Sequence, residues 1–94
     1  MIENRPMIDV KQAVQIAQAK ALEMLGKNSN LEEIERDFYR DHDVWVITLS
    51  VPRDPEKLPS LARLAAEPVE YKRFLIDAST GEFLAMKLRE IAFR

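Results

Sequence analysis

The sequence predicts an α+β fold in which one N-terminal helix packs on a four-stranded antiparallel sheet made of two hairpins. The prediction rests on a helical repeat of apolar residues near the N-terminus, two later pairs of strand-like segments, and a polar turn within each pair. The chain has 94 residues, which suits one hydrophobic core. Apolar residues make up 47% and charged residues 32%, as in an ordinary globular protein, so we expect residues 1–94 to form a single domain.

The first element is an amphipathic helix over residues 9–25. Apolar residues recur there at steps of three and four and so form one stripe: Val10, Ala13, Val14, Ala17, Ala21, Met24 and Leu25. Asp9 is suited to the N-cap, and Gln12 to the third position of a capping box. Gly26 suits the left-handed residue that ends a helix. We therefore expect well-marked helix ends and a stripe of alanines that lets the helix lie close to the sheet.

Residues 31–51 predict the first hairpin. Ile34 and Phe38 fall on one face of a half-exposed strand, opposite an acidic face that consists of Glu33, Glu35 and Asp37. A polar turn at residues 40–43 then leads to residues 44–51, which are rich in β-branched and aromatic side chains. Trp45 shares a face with Ile47, Leu49 and Val51. We expect Trp45 to lie in the core beneath the helix.

Residues 53–68 form a Pro-rich insertion between the hairpins. Pro52 ends the preceding strand because it removes a ladder donor, and three further prolines follow. Ser60 is suited to cap a short helix that carries Leu61 and Leu64. So long a connection in a small domain is often mobile or functional.

Residues 69–91 predict the second hairpin, with its turn at residues 77–82. Gly81 suits a positive φ angle, and the side chains of Asp77, Ser79 and Thr80 can bond turn amides. Acidic residues crowd residues 32–43, whereas basic residues concentrate in the last third of the chain. If these stretches form neighbouring strands, their charges can pair across the sheet.

Three segments, taken in order, resemble a PepSY-type domain, a cystatin-like arrangement of a helix against an antiparallel sheet. They are the helix Val10–Leu25, the strand Val44-Trp45-Val46-Ile47 and the turn region Phe74–Glu82. The resemblance implies the same fold and a role in binding, since such domains are associated with propeptides, peptidase inhibitors and cell-envelope modules. Two departures from the family, the absence of an export signal and the insertion at residues 53–68, weigh against peptidase inhibition.

The composition excludes several functional classes. A net charge of −2 provides no field for a polyanion, so we expect no nucleic-acid binding. The absence of cysteine excludes disulfides, thiolate nucleophiles and thiolate metal sites. No apolar run approaches the roughly 20 residues of a membrane span, and the N-terminus has no apolar run of signal-peptide length. We expect no membrane contact and a cytoplasmic protein, unless a leader peptide has been removed.

We expect no catalytic residues, bound metal or cofactor. His42, the single histidine, lies between Asp41 and Asp43, but adjacent side chains in a turn point in different directions and no second histidine completes a ligand set. The serine and threonine residues lack a nucleophile-elbow context, and the two glycines belong to no phosphate-binding motif. A polar turn is the simpler explanation of His42.

The sequence therefore predicts a non-enzymatic protein-binding module, inhibitory or regulatory in character. Its partner would contact the open sheet face or the insertion, through Leu61, Leu64, Tyr71, Arg73, Lys87 and Arg89. Tyr71 is the aromatic residue expected to be exposed, and the basic residues suit an acidic partner. Unpaired edge strands also allow a homodimer through β-augmentation.

Two other functions stay open at this point. One is a small-molecule-binding or enzymatic domain with a cavity between helix and sheet, where Glu33, Glu35 or Arg73 would supply the charged groups. The other is a partner protein that confers immunity to a toxin.

Overall fold

The computed structural model describes residues 7–53 and 69–88. It contains one helix and a four-stranded antiparallel sheet, which confirms the predicted α+β fold class. The elements are α1 (Val10–Leu25), β1 (Asn30–Tyr39), β2 (His42–Pro52), β3 (Val69–Asp77) and β4 (Phe83–Leu88). The strands lie in chain order across the sheet, so β1 and β4 form its edges. Residues 54–68, including Leu61 and Leu64, lie outside the described residues, as does Arg89.

Both ends of α1 carry the caps that the sequence predicts. The Asp9 carboxylate accepts a hydrogen bond from the Gln12 N–H at 2.8 Å, and the Gln12 side chain accepts one from the Asp9 N–H at 2.9 Å. Gly26 has φ +68°, and its N–H donates to the Leu22 carbonyl at 2.9 Å. These bonds satisfy backbone groups that have no partner within the helix.

The hydrophobic core lies between α1 and the sheet. Its fully buried side chains are Ala13, Ala17, Ala21, Ile47, Leu49, Phe74 and Ile76. Two members of the predicted stripe lie outside the core, because Val10 is 38% and Met24 46% exposed, whereas Val14 and Leu25 pack against it. Val10 and Met24 occupy the first and last turns, and a helical stripe is buried only where another element lies against it. Ile16, which the stripe did not include, packs against the core instead.

The turn of the first hairpin is shorter than predicted. Tyr39 pairs with His42, so the turn consists of Arg40 and Asp41 alone, with φ angles of 50° and 68°. Two successive positive φ angles are typical of a type I′ turn, whose twist matches that of the strands. His42 and Asp43 therefore belong to β2.

Strand β2 is buried on both faces. We call the side of the sheet that faces away from α1 the second face. There Val44 and Thr48 have no exposed surface, and Val46 is 7% exposed. Leu75 completes a second apolar cluster with the two valines, and Tyr39, Leu84 and Ala85 pack against it. Burial on both sides explains why the sequence of β2 is almost continuously apolar rather than alternating.

Trp45 packs against the core on the α1 side of the sheet, as predicted, but it is only half-buried. Its Nε1–H donates to the carbonyl of Ile8 at 3.2 Å. The Arg36 guanidinium lies 4.7 Å from the ring centre and forms an ion pair with Asp43. Trp45 thus forms the border of the core, with a cation over its ring.

The predicted pairing of acidic and basic strands does not arise in the sheet. Strand β2 lies between acidic β1 and the basic residues of β3 and β4, so these strands are not neighbours. The charges instead pair between neighbouring segments, as in the ion pairs Arg36–Asp43, between β1 and β2, and Arg53–Glu70, between the residue that follows β2 and a residue of β3.

Candidate functional site

Side chains of all four strands surround a hollow of about 130 Å³ on the second face. Its apolar residues include Val44, Val46 and Leu75. Glu35 and Asp37 line it from β1, whereas Arg73 and Lys87 line it from β3 and β4. The two-residue period of a strand places these alternate residues on one face. The hollow is therefore apolar in the middle, acidic on one side and basic on the other.

The basic side of the hollow brings together two residues that the sequence named as candidates. Arg73 and Lys87 are direct partners in the β3–β4 register, and Thr48 lies beside Arg73 on β2. Two cations opposite one another in a sheet repel. Within the part of the chain that the structure describes, the Arg73 guanidinium forms no ion pair, and its buried Nε has no hydrogen-bond partner. Among the described residues, Arg73 is thus a half-buried cation without an ion-pair partner.

Lys87 has a partner of a different kind. Its Nζ lies 4.8 Å from the centre of the Tyr39 ring, and the Arg40 guanidinium lies 5.2 Å from the same ring. Tyr39 ends β1 and Lys87 belongs to β4, so this contact links the two edge strands across the second face. Lys87 is an exposed residue beside the hollow, with the Tyr39 ring next to its ammonium group.

The remaining predicted site residue, Tyr71, also lies on the second face. It pairs with Ser50 of β2 and is half-buried. Phe38, at 74%, is more exposed than any other large apolar residue in the described ranges, although sequence reasoning placed it only on an apolar strand face. The structure thus brings Tyr71, Arg73 and Lys87 to one face, whereas the exposed Phe38 belongs to β1 on the α1 side of the sheet.

The charged residues suggested for a small-molecule site are found away from the predicted cavity. The space between α1 and the sheet is filled by the fully buried core side chains. Glu35 and Arg73 line the hollow on the opposite face, and Glu33 belongs to that face through its pairing with Thr48.

His42 has a partner that sequence reasoning missed. Its Nδ1 lies 2.6 Å from Oδ2 of Asp77, a residue that is 5% exposed and lies 35 positions away in the chain. Oδ1 of Asp77 accepts hydrogen bonds from the N–H groups of Ser79 at 2.8 Å and Thr80 at 3.0 Å. Asx-turn chemistry could be predicted from the sequence, but the partnership with His42 depends on how β2 and β3 pair.

The environment of Asp77 stabilises its charged form. Burial alone would raise the pKa of the Asp77 carboxyl, but the bonds from Ser79, Thr80 and His42 outweigh burial and lower the pKa below its ordinary value. The Ala78 N–H also donates to the Asp43 carbonyl at 2.8 Å. These contacts fasten the second hairpin turn to the beginning of β2.

A histidine oriented by a buried carboxylate also occurs in hydrolase triads, where it activates a nucleophile. In residues 7–53 and 69–88, no group of three or more His, Cys, Asp or Glu side chains is placed to hold a metal ion. Asp77 also accepts hydrogen bonds from two turn amides, so the His42–Asp77 pair has a structural role in holding the second hairpin turn.

None of the helices in the described ranges has the length and apolar character needed to cross a membrane. No protein-family model, curated protein or solved structure matches this chain.

Proposed function

We propose that this protein is a non-enzymatic protein-binding module, inhibitory or regulatory in character, which docks a partner at the hollow on the second face. The resemblance to PepSY-type domains supports a binding role. The observation that carries the proposal is Arg73, a half-buried guanidinium that lacks a counter-charge among the described residues and lies opposite Lys87.

The proposed partner group is an Asp or Glu side chain. An unsatisfied buried donor costs about 1–3 kcal/mol, and the repulsion between Arg73 and Lys87 adds to that cost. A carboxylate placed between them would accept hydrogen bonds from the planar guanidinium and offset the repulsion between the two cations. Val46 and Leu75, which keep a small exposed surface, would contact the aliphatic part of the same side chain.

The size of the hollow favours a protein side chain over a free ligand. Pockets that hold small molecules usually have volumes of about 300–1,000 Å³, whereas this hollow has about 130 Å³. A small zwitterion is nevertheless the second candidate, because Glu35 and Arg73 place opposite charges beside the same space.

Affinity capture from native lysate tests the proposal, with the wild type compared with Arg73→Gln. The matched control is Lys11→Gln, which removes one positive charge from an exposed residue of α1. We expect one specific partner that is lost with Arg73→Gln and retained with Lys11→Gln. Loss with both variants, or with neither, would contradict docking at Arg73.

A second arm separates the sheet face from the insertion. Replacing residues 54–67 by a shorter Gly-Ser linker should leave the partner bound if the hollow is the docking surface. Loss of the partner would assign binding to the insertion. Native mass spectrometry of the purified protein tests the zwitterion, since a small molecule that is retained only when Arg73 is present would favour the second candidate.

A further inference from the structure

Strand β1 is an edge of the sheet with an exposed side. It is 10 residues long and, within the described ranges, pairs only with β2. Its apolar side chains are unusually open to solvent, since Leu31 is 42%, Ile34 40% and Phe38 74% exposed. Long exposed edges readily pair with another strand, and natural proteins usually shorten, cover or charge them.

The ladder of the first hairpin shows which backbone groups face outward. In an antiparallel pair, residues whose N–H and C=O groups bond the partner strand alternate with residues whose groups point away. The Phe38 N–H donates to the Asp37 carboxylate at 2.7 Å instead of to β2, which marks Phe38 as an outward position. By alternation, Arg36 and Ile34 are outward positions too.

The two faces of β1 differ sharply in chemistry. On the α1 side, Ile34 and Phe38 flank Arg36, whose charge is neutralised by Asp43. This side therefore presents an apolar surface to a neighbouring strand. On the second face, Glu35 and Asp37 are exposed and form no ion pair among the described residues. As far as residues 7–53 and 69–88 show, this side presents negative charge without an ion-pair partner.

A second copy of the chain is a poor match for this edge. In a symmetric antiparallel pairing centred on Arg36, Glu35 of one copy would lie opposite Asp37 of the other. A pairing centred on Glu35 would place Glu35 opposite itself. Like charges directly opposite one another destabilise a sheet, so the charges of β1 oppose the homodimer that an unpaired edge would otherwise allow.

We propose that the β1 edge binds an extended segment of another protein in which basic and apolar residues alternate. The segment adds a fifth strand by bonding the outward backbone groups of Ile34 and Arg36. Its basic side chains pair with Glu35 and Asp37 on the second face. Its apolar side chains contact Ile34 and Phe38 on the α1 side. This surface shares Glu35 and Asp37 with the acidic side of the hollow but uses neither Arg73 nor Lys87, so the inference does not depend on the function proposed above.

The test uses a fluorescent peptide, Lys-Val-Lys-Ile-Lys-Val-Lys, with a control peptide of the same composition in the order Lys-Lys-Val-Ile-Val-Lys-Lys. We expect the alternating peptide to bind more tightly than the control by about tenfold. Hydrogen exchange followed by NMR should show that the Ile34 and Arg36 amides become protected when it binds. The amides of Glu35 and Asp37, which face β2, should change little.

Charge reversal provides the matched pair of variants. Glu35→Lys should weaken binding of the alternating peptide by about tenfold, because it replaces an attraction by a repulsion. Glu23→Lys makes the same charge change at an exposed position of α1 and should alter the affinity for the peptide by less than about twofold. Circular dichroism melts establish that both variants are folded.

Three outcomes would overturn the inference. The alternating peptide does not bind; both peptides bind equally well without protection of Ile34 and Arg36; or these amides are already protected in the free protein and sedimentation gives the mass of a dimer. The last result would make a second copy the occupant. Peptide binding should persist in Arg73→Gln, so failure of this inference and failure of the proposed function are distinguishable.

Discussion

Asp77 joins the second hairpin turn to the first strand pair, and Asp77→Asn removes its charge while conserving its size. The carboxylate accepts hydrogen bonds from the Ser79 and Thr80 amides and lies 2.6 Å from the His42 ring nitrogen. An asparagine oxygen can still accept from the turn amides, but without charge, and its NH₂ group then faces His42. The variant therefore tests how much the charge contributes to stability.

The expected loss follows from the three contacts. Hydrogen bonds to charged groups contribute about 1.5–3 kcal/mol and neutral ones about 0.5–1.5 kcal/mol, so each contact loses on the order of 1 kcal/mol. Two contacts share one oxygen and His42 is half-exposed, so the losses do not simply add, and we expect about 2 kcal/mol in total. For a domain of this size, that corresponds to a Tm lower by about 10 °C.

The effect should depend on pH in a defined direction. The folded state holds the pKa of Asp77 below its ordinary value, so the unfolded chain takes up a proton on this carboxyl at a higher pH than the folded chain does. The contribution of Asp77 is thus fully present above the ordinary Asp pKa of about 3.9 and is lost as the pH falls through the lower folded value. The variant has no such carboxylate.

Urea unfolding of wild type and Asp77→Asn at pH 7 and near pH 3 measures this difference. We expect the free energies of unfolding to differ by about 2 kcal/mol at pH 7 and to converge in acid. Asp41→Asn, in an exposed turn at φ 68°, is the control and should change stability by less than about 0.5 kcal/mol. Equal stability of wild type and Asp77→Asn at pH 7, or a difference that is the same at both pH values, would refute the reasoning.

Three further substitutions test local features by urea unfolding. Gly81→Ala should destabilise the protein by about 2 kcal/mol, because φ is +82° and the new Cβ would lie 3.2 Å from Cδ1 of Ile16. Gly26→Ala adds only backbone strain and should cost about 1 kcal/mol, so equal losses in the two variants would contradict the steric argument. Thr48→Val should stabilise by about 1 kcal/mol, since the buried Oγ1 has no partner among the described residues; a loss would indicate an unseen hydrogen bond. Asp9→Ala should lose about 1 kcal/mol of stability through the N-cap, with faster amide exchange confined to the first turn of α1 as the check.

The candidate site could be predicted only in part. Arg73 and Lys87 were identified as candidates because they are basic residues in the last third of the chain, and Tyr71 because it is aromatic. Nothing within a few residues of Arg73 indicates that Lys87 lies directly opposite it or that its Nε is buried. The hollow exists because side chains from four strands meet on one face, and no single segment encodes that meeting.

The sequence by itself determined the features that depend on neighbours along the chain. The ends of α1 follow from Asp9, Gln12 and Gly26, whose caps involve residues three or four positions apart. The second hairpin turn follows in the same way, because Asp77 bonds amides two and three positions ahead.

Only the tertiary structure decided the features that depend on strand register and packing. It placed β2 between the acidic and basic strands, buried both faces of β2, and replaced Val10 and Met24 by Ile16 against the core. It also paired His42 with a carboxylate 35 positions away. Short-range hydrogen bonds are set by local spacing, whereas these contacts require four strands to align first, so their partners cannot be recognised from any one stretch of sequence.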